Sequence, residues 1–160
     1  MLDSTVMPAS TSVSNPFPPI ISGGKWLRTA EAKWPMRGVA YGPFKPNSRG
    51  EAFPEDVALN ADLRHIHELG FNTVRLYELP TASVLQAATE HGLRLLVGIP
   101  WTDHVDFLRD HGLKKEISRR IAEAVGRFRD EPCVFGFLVG NEIEKTLVLW
   151  MGPTRVRDFL

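Results

Sequence analysis

The sequence predicts an α/β fold built on a parallel sheet, and three observations carry the prediction. Short runs rich in β-branched and aromatic residues alternate with stretches whose apolar residues recur at three and four. That alternation is strand, helix, strand in repetition, and it requires right-handed crossovers between parallel strands. The last short run, Val134-Phe135-Gly136-Phe137-Leu138-Val139, is apolar throughout and stops on Gly140-Asn141-Glu142, which reads as a strand buried on both faces. After the first run, Gly42-Pro43-Phe44-Lys45 has one glycine and then a proline, so no phosphate cradle forms and a dinucleotide fold with its cofactor is disfavoured. The architecture that fits is a (β/α)₈ barrel of the TIM type, truncated to about its first four βα units. A leader over residues 1–24 and a small β-hairpin are expected before it, with residues 25–160 forming the N-terminal half of the barrel.

Each element has its own signal. Met1 to Pro19 is rich in Ser, Thr and Pro and lacks the basic start and apolar stretch of a secretory signal, so it reads as a flexible leader. Lys25–Arg28 and Trp34–Arg37 flank a polar connector and predict the hairpin, with Trp26 and Trp34 on a barrel floor. Gly38–Gly42 is the first strand, ended by a loop containing Pro43, Pro46, Asn47 and Gly50. From Pro54 to Leu69, the recurrence of Leu59, Leu63, Ile66 and Leu69 before Gly70 predicts a helix with a glycine stop. Asn72–Tyr77 is the second strand, and Pro80 ends it. Thr81 caps a helix running to His91, stopped by Gly92. Leu93–Ile99 is the third strand, with Pro100 at its exit. Thr102 is expected to cap a short helix containing Val105 and Leu108. A longer helix carries Leu113, Ile117, Ile121, Val125 and Phe128 on one face until Pro132 breaks it. The Val134 run is the fourth strand. Leu149-Trp150 then reads as a loop, and Val156–Leu160 as a helix cut off midway.

Composition narrows the partners. Nineteen basic and nineteen acidic residues cancel, so nothing favours nucleic acid or an acidic membrane face. No apolar segment reaches the ~20 residues that cross a bilayer, and a cytoplasmic domain is the expectation. Cys133 is the sole cysteine, which excludes an internal disulfide and reads as a buried bystander.

In a closed barrel the residues at the carboxyl ends of the strands line the active site. Asn141-Glu142 stands at such an end, and that pair suits glycoside hydrolysis: a carboxyl to protonate a leaving oxygen and an amide to hold a sugar hydroxyl. The plain alternatives are an exposed strand-end glutamate and a turn asparagine. Arg75 lies in a strand otherwise apolar, where an unpaired guanidinium is costly. Its expected partner is a carboxylate, either a nucleophile in the barrel mouth or Glu78 or Glu142. Tyr41, Tyr77, Trp101 and His104 fall at or just past strand exits, where aromatic faces and an imidazole suit a sugar-binding pocket. His65, His67, His91 and His111 are assigned to helices, the last two before helix-ending glycines. No histidine stands at a ligand spacing from Glu142 and Glu144, so no metal site is expected.

Taken together, Met36-Arg37-Gly38-Val39-Ala40-Tyr41-Gly42, Asn72-Thr73-Val74-Arg75-Leu76-Tyr77 with Pro80, Glu90-His91-Gly92-Leu93, and Gly140-Asn141-Glu142 resemble the first half of a retaining glycoside hydrolase barrel. The family resembled is the large clan containing β-galactosidases, β-glucuronidases, cellulases and β-1,3-glucanases. More closely, the chain resembles the glycosidase-like domain at the amino-terminal end of some large bacterial family 2 glycosyltransferases. The resemblance covers about Lys25 to Leu160. It implies retaining hydrolysis of O-glycosyl bonds in an oligo- or polysaccharide, without a cofactor. It also implies that Glu142 is the acid/base on the fourth strand, Asn141 the amide before it, and Arg75 the second-strand arginine near the nucleophile.

The first-strand histidine of the galactosidase branch has no match here. The clan's nucleophilic glutamate belongs to the seventh strand, so the chain alone is expected to be inactive. Its missing barrel half is expected in cis in a longer parent, or else in trans. The alternative role is a non-catalytic carbohydrate-binding or structural domain of a larger glycosyltransferase. Four strands cannot close a barrel, so exposed edges and self-association are expected.

Overall fold

The computed structural model describes residues 16–102 and 104–160. The leader expected over 1–24 thus lies outside the described residues as far as Asn15. Within the described part of that segment Phe17 is buried, at 4% exposure, while Pro16, Pro18 and Pro19 around it are exposed. Ile21–Gly23 (β1) pairs antiparallel with Trp26–Arg28 (β2). The hairpin therefore differs from the expected one, because Gly24 adopts a φ of 66° and turns the chain there. Trp34 only donates its backbone N–H to the Leu27 carbonyl, at 2.8 Å. Trp26 is 50% exposed, with the Lys33 ammonium 4.7 Å above its ring, so it is not a floor residue. Trp34 does pack under the sheet, its ring 5.4 Å from that of Phe135.

The main sheet is parallel with order β3-β4-β5-β6, formed by Gly38–Tyr41, Thr73–Leu76, Arg94–Gly98 and Val134–Leu138. The helices α1 (Asp56–Glu68), α2 (Ala82–Glu90) and α3 (His111–Phe128) follow the first three of these strands in turn. This is the arrangement of a partial (β/α)₈ barrel. Both β3 and β6 are edges among the described residues, which is why every residue of β6 is only half-buried and the expected burial on both faces is not found.

Register sorts the strand residues onto two faces. Val39, Val74, Leu95 and Val134 share one row, and Tyr41, Leu76, Val97 and Phe137 another. These rows face α1 and α2, where Leu59, Leu63, Val84, Ala87 and Ala88 complete a core with Val74, Leu76, Leu95 and Val97 fully buried in it. Each such aliphatic side chain contributes about 1.5–3 kcal/mol by leaving water. The opposite, inner face carries Ala40, Arg75, Leu96 and Gly136 across one row. Phe135 is the extra residue of a bulge between the Leu95 and Leu96 pairings.

The helix ends follow their sequences. After α1, Gly70 N–H bonds the His67 carbonyl and Phe71 N–H the Ile66 carbonyl. After α2, Gly92 and Leu93 repeat the pattern on Thr89 and Ala88. Both glycines have positive φ, so both are Schellman stops that feed the chain into the next strand. Thr81 caps α2. The short helix expected at Thr102 does not form; the described residues after it make turns. Asp110 caps α3 instead, accepting from Gly112 and Leu113 N–H at 2.8 and 3.0 Å. His111 therefore begins a helix rather than ending one. Leu149-Trp150 is helical too, within α4 (Lys145–Met151), which Gly152 separates from α5 (Pro153–Phe159). Met151 and Val156 join Phe107, Leu108 and Ile117 in a second apolar cluster, against which Trp101 packs.

Candidate functional site

A cavity of about 280 Å³ opens at the carboxyl ends of β4, β5 and β6, lined in part by Arg75, Tyr77, Glu78, Trp101, His104 and Asn141. It lies where the inner-face rows run out, and a glycine shapes it. A Cβ on Gly98 would stand 2.6 Å from the Leu76 carbonyl oxygen and 3.1 Å from that of Tyr77, so a side chain here would push the end of β4 away from β5. The absence of that side chain lets the cavity walls meet.

Arg75 is the link between strands. Its Nη2 donates to Asn141 Oδ1, 66 residues away in the chain, and its guanidinium carbon lies 4.8 Å from the Tyr77 ring centroid. Its Nε is buried without a hydrogen-bond acceptor among the described residues. Of the expected carboxylate partners, Glu78 and Glu142 do not pair with Arg75; its hydrogen-bond partner among the described residues is the Asn141 amide. Trp101 is fixed on two sides: its indole N–H donates to the Val139 carbonyl, and its ring meets that of Phe107 edge-on at 4.9 Å. His104 completes this wall.

The sequence-predicted residues thus divide. Arg75, Tyr77, Trp101, His104 and Asn141 converge on one cavity. Tyr41 does not: in-register pairing with Leu76 turns it to the helix side, where it is buried and donates its hydroxyl to Asp62 Oδ2 at 2.7 Å. Burial, then the hydrogen bond to Asp62, pushes its phenol well above the ordinary tyrosine value, as suits a core residue that stays neutral. Glu142 is exposed beside Asn141 and is not part of the cavity lining. Its φ of 50° makes it the one non-glycine residue with positive φ among the described residues. That conformation costs roughly 1–2 kcal/mol, and such strain gathers at functional positions.

Glu78 is the charged lining residue that was not expected in the site. It lies just past the end of β4, three positions after Arg75, and strand-exit position was the available signal. At the opposite end of the sheet, Arg94 donates to the Pro18 carbonyl and lies over the Phe17 and Trp34 rings. Its burial pulls the guanidinium below its ordinary value, so it serves packing and not the cavity. Among the described residues, no group of three His, Cys, Asp or Glu side chains is placed to hold a metal ion. No helix there is long and apolar enough to cross a membrane.

Comparison with known proteins gives a fold-level likeness. No protein-family model matches the chain, and no curated protein matches it in sequence. Among solved structures, it is similar to a β-glucuronidase of Bacteroides uniformis, with a TM-score of 0.62 and 18% identity over 90% of this chain and 17% of that one. A β-glucuronidase of Parabacteroides merdae gives 0.62 and 17% over the same shares. Saccharomyces cerevisiae Gas2p in complex with laminaripentaose gives 0.58 and 18%, covering 81% of this chain and 32% of that one. The structural neighbours are glycoside hydrolases, and the chain spans a sixth to a third of their length.

Proposed function

We propose that the chain is a glycosidase-like domain whose strand-end cavity binds a sugar unit of an oligo- or polysaccharide and whose chemistry is retaining hydrolysis of a β-glycosidic bond. The observation that carries the reading is the Arg75–Asn141 hydrogen bond, which ties the ends of β4 and β6 together beside the strained Glu142. In this reading Asn141 holds a hydroxyl next to the reacting carbon, Tyr77 and Trp101 flank the ring, and Glu142 protonates the leaving oxygen. The nucleophilic carboxylate comes from further βα units seated on the open β3 and β6 edges, in a longer parent chain. Arg75 Nε, buried without an acceptor, is the donor that carboxylate would take up. Within this reading the domain serves glycan processing in the cytoplasm, attached to a glycosyltransferase.

The test is release of sugar from β-1,3-glucan oligosaccharides and aryl β-glycosides by the protein carrying its complete barrel, wild type against Glu142→Gln. Loss of about 10²–10⁴-fold in turnover is expected, and unchanged turnover removes Glu142 from the chemistry. A second reading has its own support. Glu142 is exposed and stands outside the cavity lining, as fits a non-catalytic carbohydrate-binding domain of a larger glycosyltransferase. Saccharide binding without turnover, unaltered in Glu142→Gln, would favour that second reading.

A further inference from the structure

Resting on the carbohydrate reading above, we infer that Glu78 sets the charge class of the sugar: the cavity selects a neutral glycoside and rejects a uronide. Two lining residues carry a formal charge at neutral pH, Arg75 and Glu78. Arg75 keeps Nη2 on Asn141 and its face on Tyr77, and its Nε, buried out of reach of a ligand in the cavity, is the donor reserved above for the nucleophilic carboxylate. Glu78 is half-buried and makes no hydrogen bond or ion pair with another described residue. Its carboxylate is therefore the uncommitted charged group of the cavity.

A carboxylate in that position accepts two hydroxyl protons from adjacent carbons of a pyranose, in hydrogen bonds strengthened by its charge. A sugar carboxylate in the same space offers no proton to donate and brings a second anion into a half-buried site, where like charges are costly. The cavity volume of about 280 Å³ is at the lower edge of the ~300–1,000 Å³ range of small-molecule sites. One sugar unit is enough to occupy it, and Glu78 is part of the lining that unit meets. This separates the chain from part of its structural neighbourhood, which holds β-glucuronidases as well as a protein crystallised with laminaripentaose.

The experiment titrates the full chain with methyl β-D-glucoside, methyl β-D-glucuronide and laminaripentaose, followed by NMR. The two methyl glycosides differ only in the group on carbon 5, hydroxymethyl against carboxylate. The wild type is expected to bind the glucoside about tenfold or more tightly than the glucuronide, with a ratio that shrinks at high salt. Glu78→Gln should bring the two within about threefold by removing the repulsion, and Glu78→Lys should reverse the preference. Unchanged melting of Glu78→Gln certifies its fold. A wild type that prefers the glucuronide, or a ratio unmoved in Glu78→Gln, overturns this inference and leaves the carbohydrate reading intact. Failure to bind any of the three saccharides overturns both.

Discussion

The two faces of the parallel sheet are made from alternate residues of the same strands, yet they differ in kind. On the helix side Val74, Leu76, Leu95 and Val97 are fully buried against α1 and α2. On the inner side the same strands present Arg75, Arg94, Leu96 and Gly98, and the charged groups bond to distant backbone or amide partners. One face closes a core and specifies the fold. The other shapes a cavity around Arg75 and Gly98 at one end and packs Arg94 against Phe17 and Trp34 at the other. A period of two in the sequence therefore interleaves two instruction sets, and mutations on the two faces should separate stability from ligand binding.

The largest effect belongs to the helix side. Leu63, with 0% exposure in α1, should cost about 2–5 kcal/mol on replacement by Ala, read as a lowered urea midpoint with an unchanged slope. If saccharide affinity of the folded Leu63→Ala protein falls in parallel, the division between the faces is wrong. Gly98→Ala comes next and tests the seam between them. Its added Cβ meets the Leu76 carbonyl oxygen at 2.6 Å, and about 1–3 kcal/mol of stability should go with the displaced backbone. Because Tyr77 moves with it, saccharide affinity should fall as well, and a Gly98→Ala protein with intact affinity would show that the cavity wall tolerates the shift.

Glu142→Gly should act in the opposite sense. Relieving a φ of 50° is expected to raise stability by about 0.5–1 kcal/mol, net of glycine's greater freedom when unfolded. Denaturant titration showing a loss would mean that the Glu142 side chain holds the loop. The smallest effect lies far from either face, in the cluster that joins the β3–α1 loop to α1. Arg49 lowers the carboxyl of Asp56, the Asn47 amide and then Arg49 lower that of Glu51, and the Ser48 N–H lowers that of Glu55. Folded values below unfolded ones contribute stability above the ordinary carboxylate range, which is lost as pH falls through the depressed values. Asp56 and Glu55 are exposed and Glu51 is only half-buried, so solvent screens the cluster and the contribution is small. Arg49→Ala should flatten the stability profile below about pH 4, and a profile identical to the wild type would remove the cluster from the account.

Legibility in the sequence followed the same division. The helix face was readable because burial demands a periodicity, and the stops at Gly70 and Gly92 were readable because only a glycine serves a left-handed helix end without strain. Around residue 110 the same logic misled: Gly112 resembles a stop, but Asp110 before it caps a helix start, and local composition did not rank the two. The half-exposure of β6 was hidden because an apolar run does not state how many neighbours its strand has. On the inner face, the strand exits indicated Arg75, Tyr77, Trp101 and Asn141. Their mutual partners were not legible, since an arginine bonded to an amide 66 residues away is a property of strand order and register. Glu78 shared the strand-exit position but was expected only as a partner for Arg75, and Tyr41 was misplaced because parity along a four-residue strand is fixed only once its neighbour's register is known.

The inner-face cavity at the carboxyl ends of β4, β5 and β6 is the proposed carbohydrate site. Its most direct measurement is the indole ¹H–¹⁵N signal of Trp101, whose N–H bonds the Val139 carbonyl at the cavity wall, during titration with laminaripentaose. A saturable shift of that signal is expected in the wild type, weakened at least about tenfold in Asn141→Ala, where the amide proposed to hold a sugar hydroxyl is gone. A Trp101 signal that stays fixed while saccharide binds elsewhere, or an Asn141→Ala protein with undiminished affinity, would contradict it.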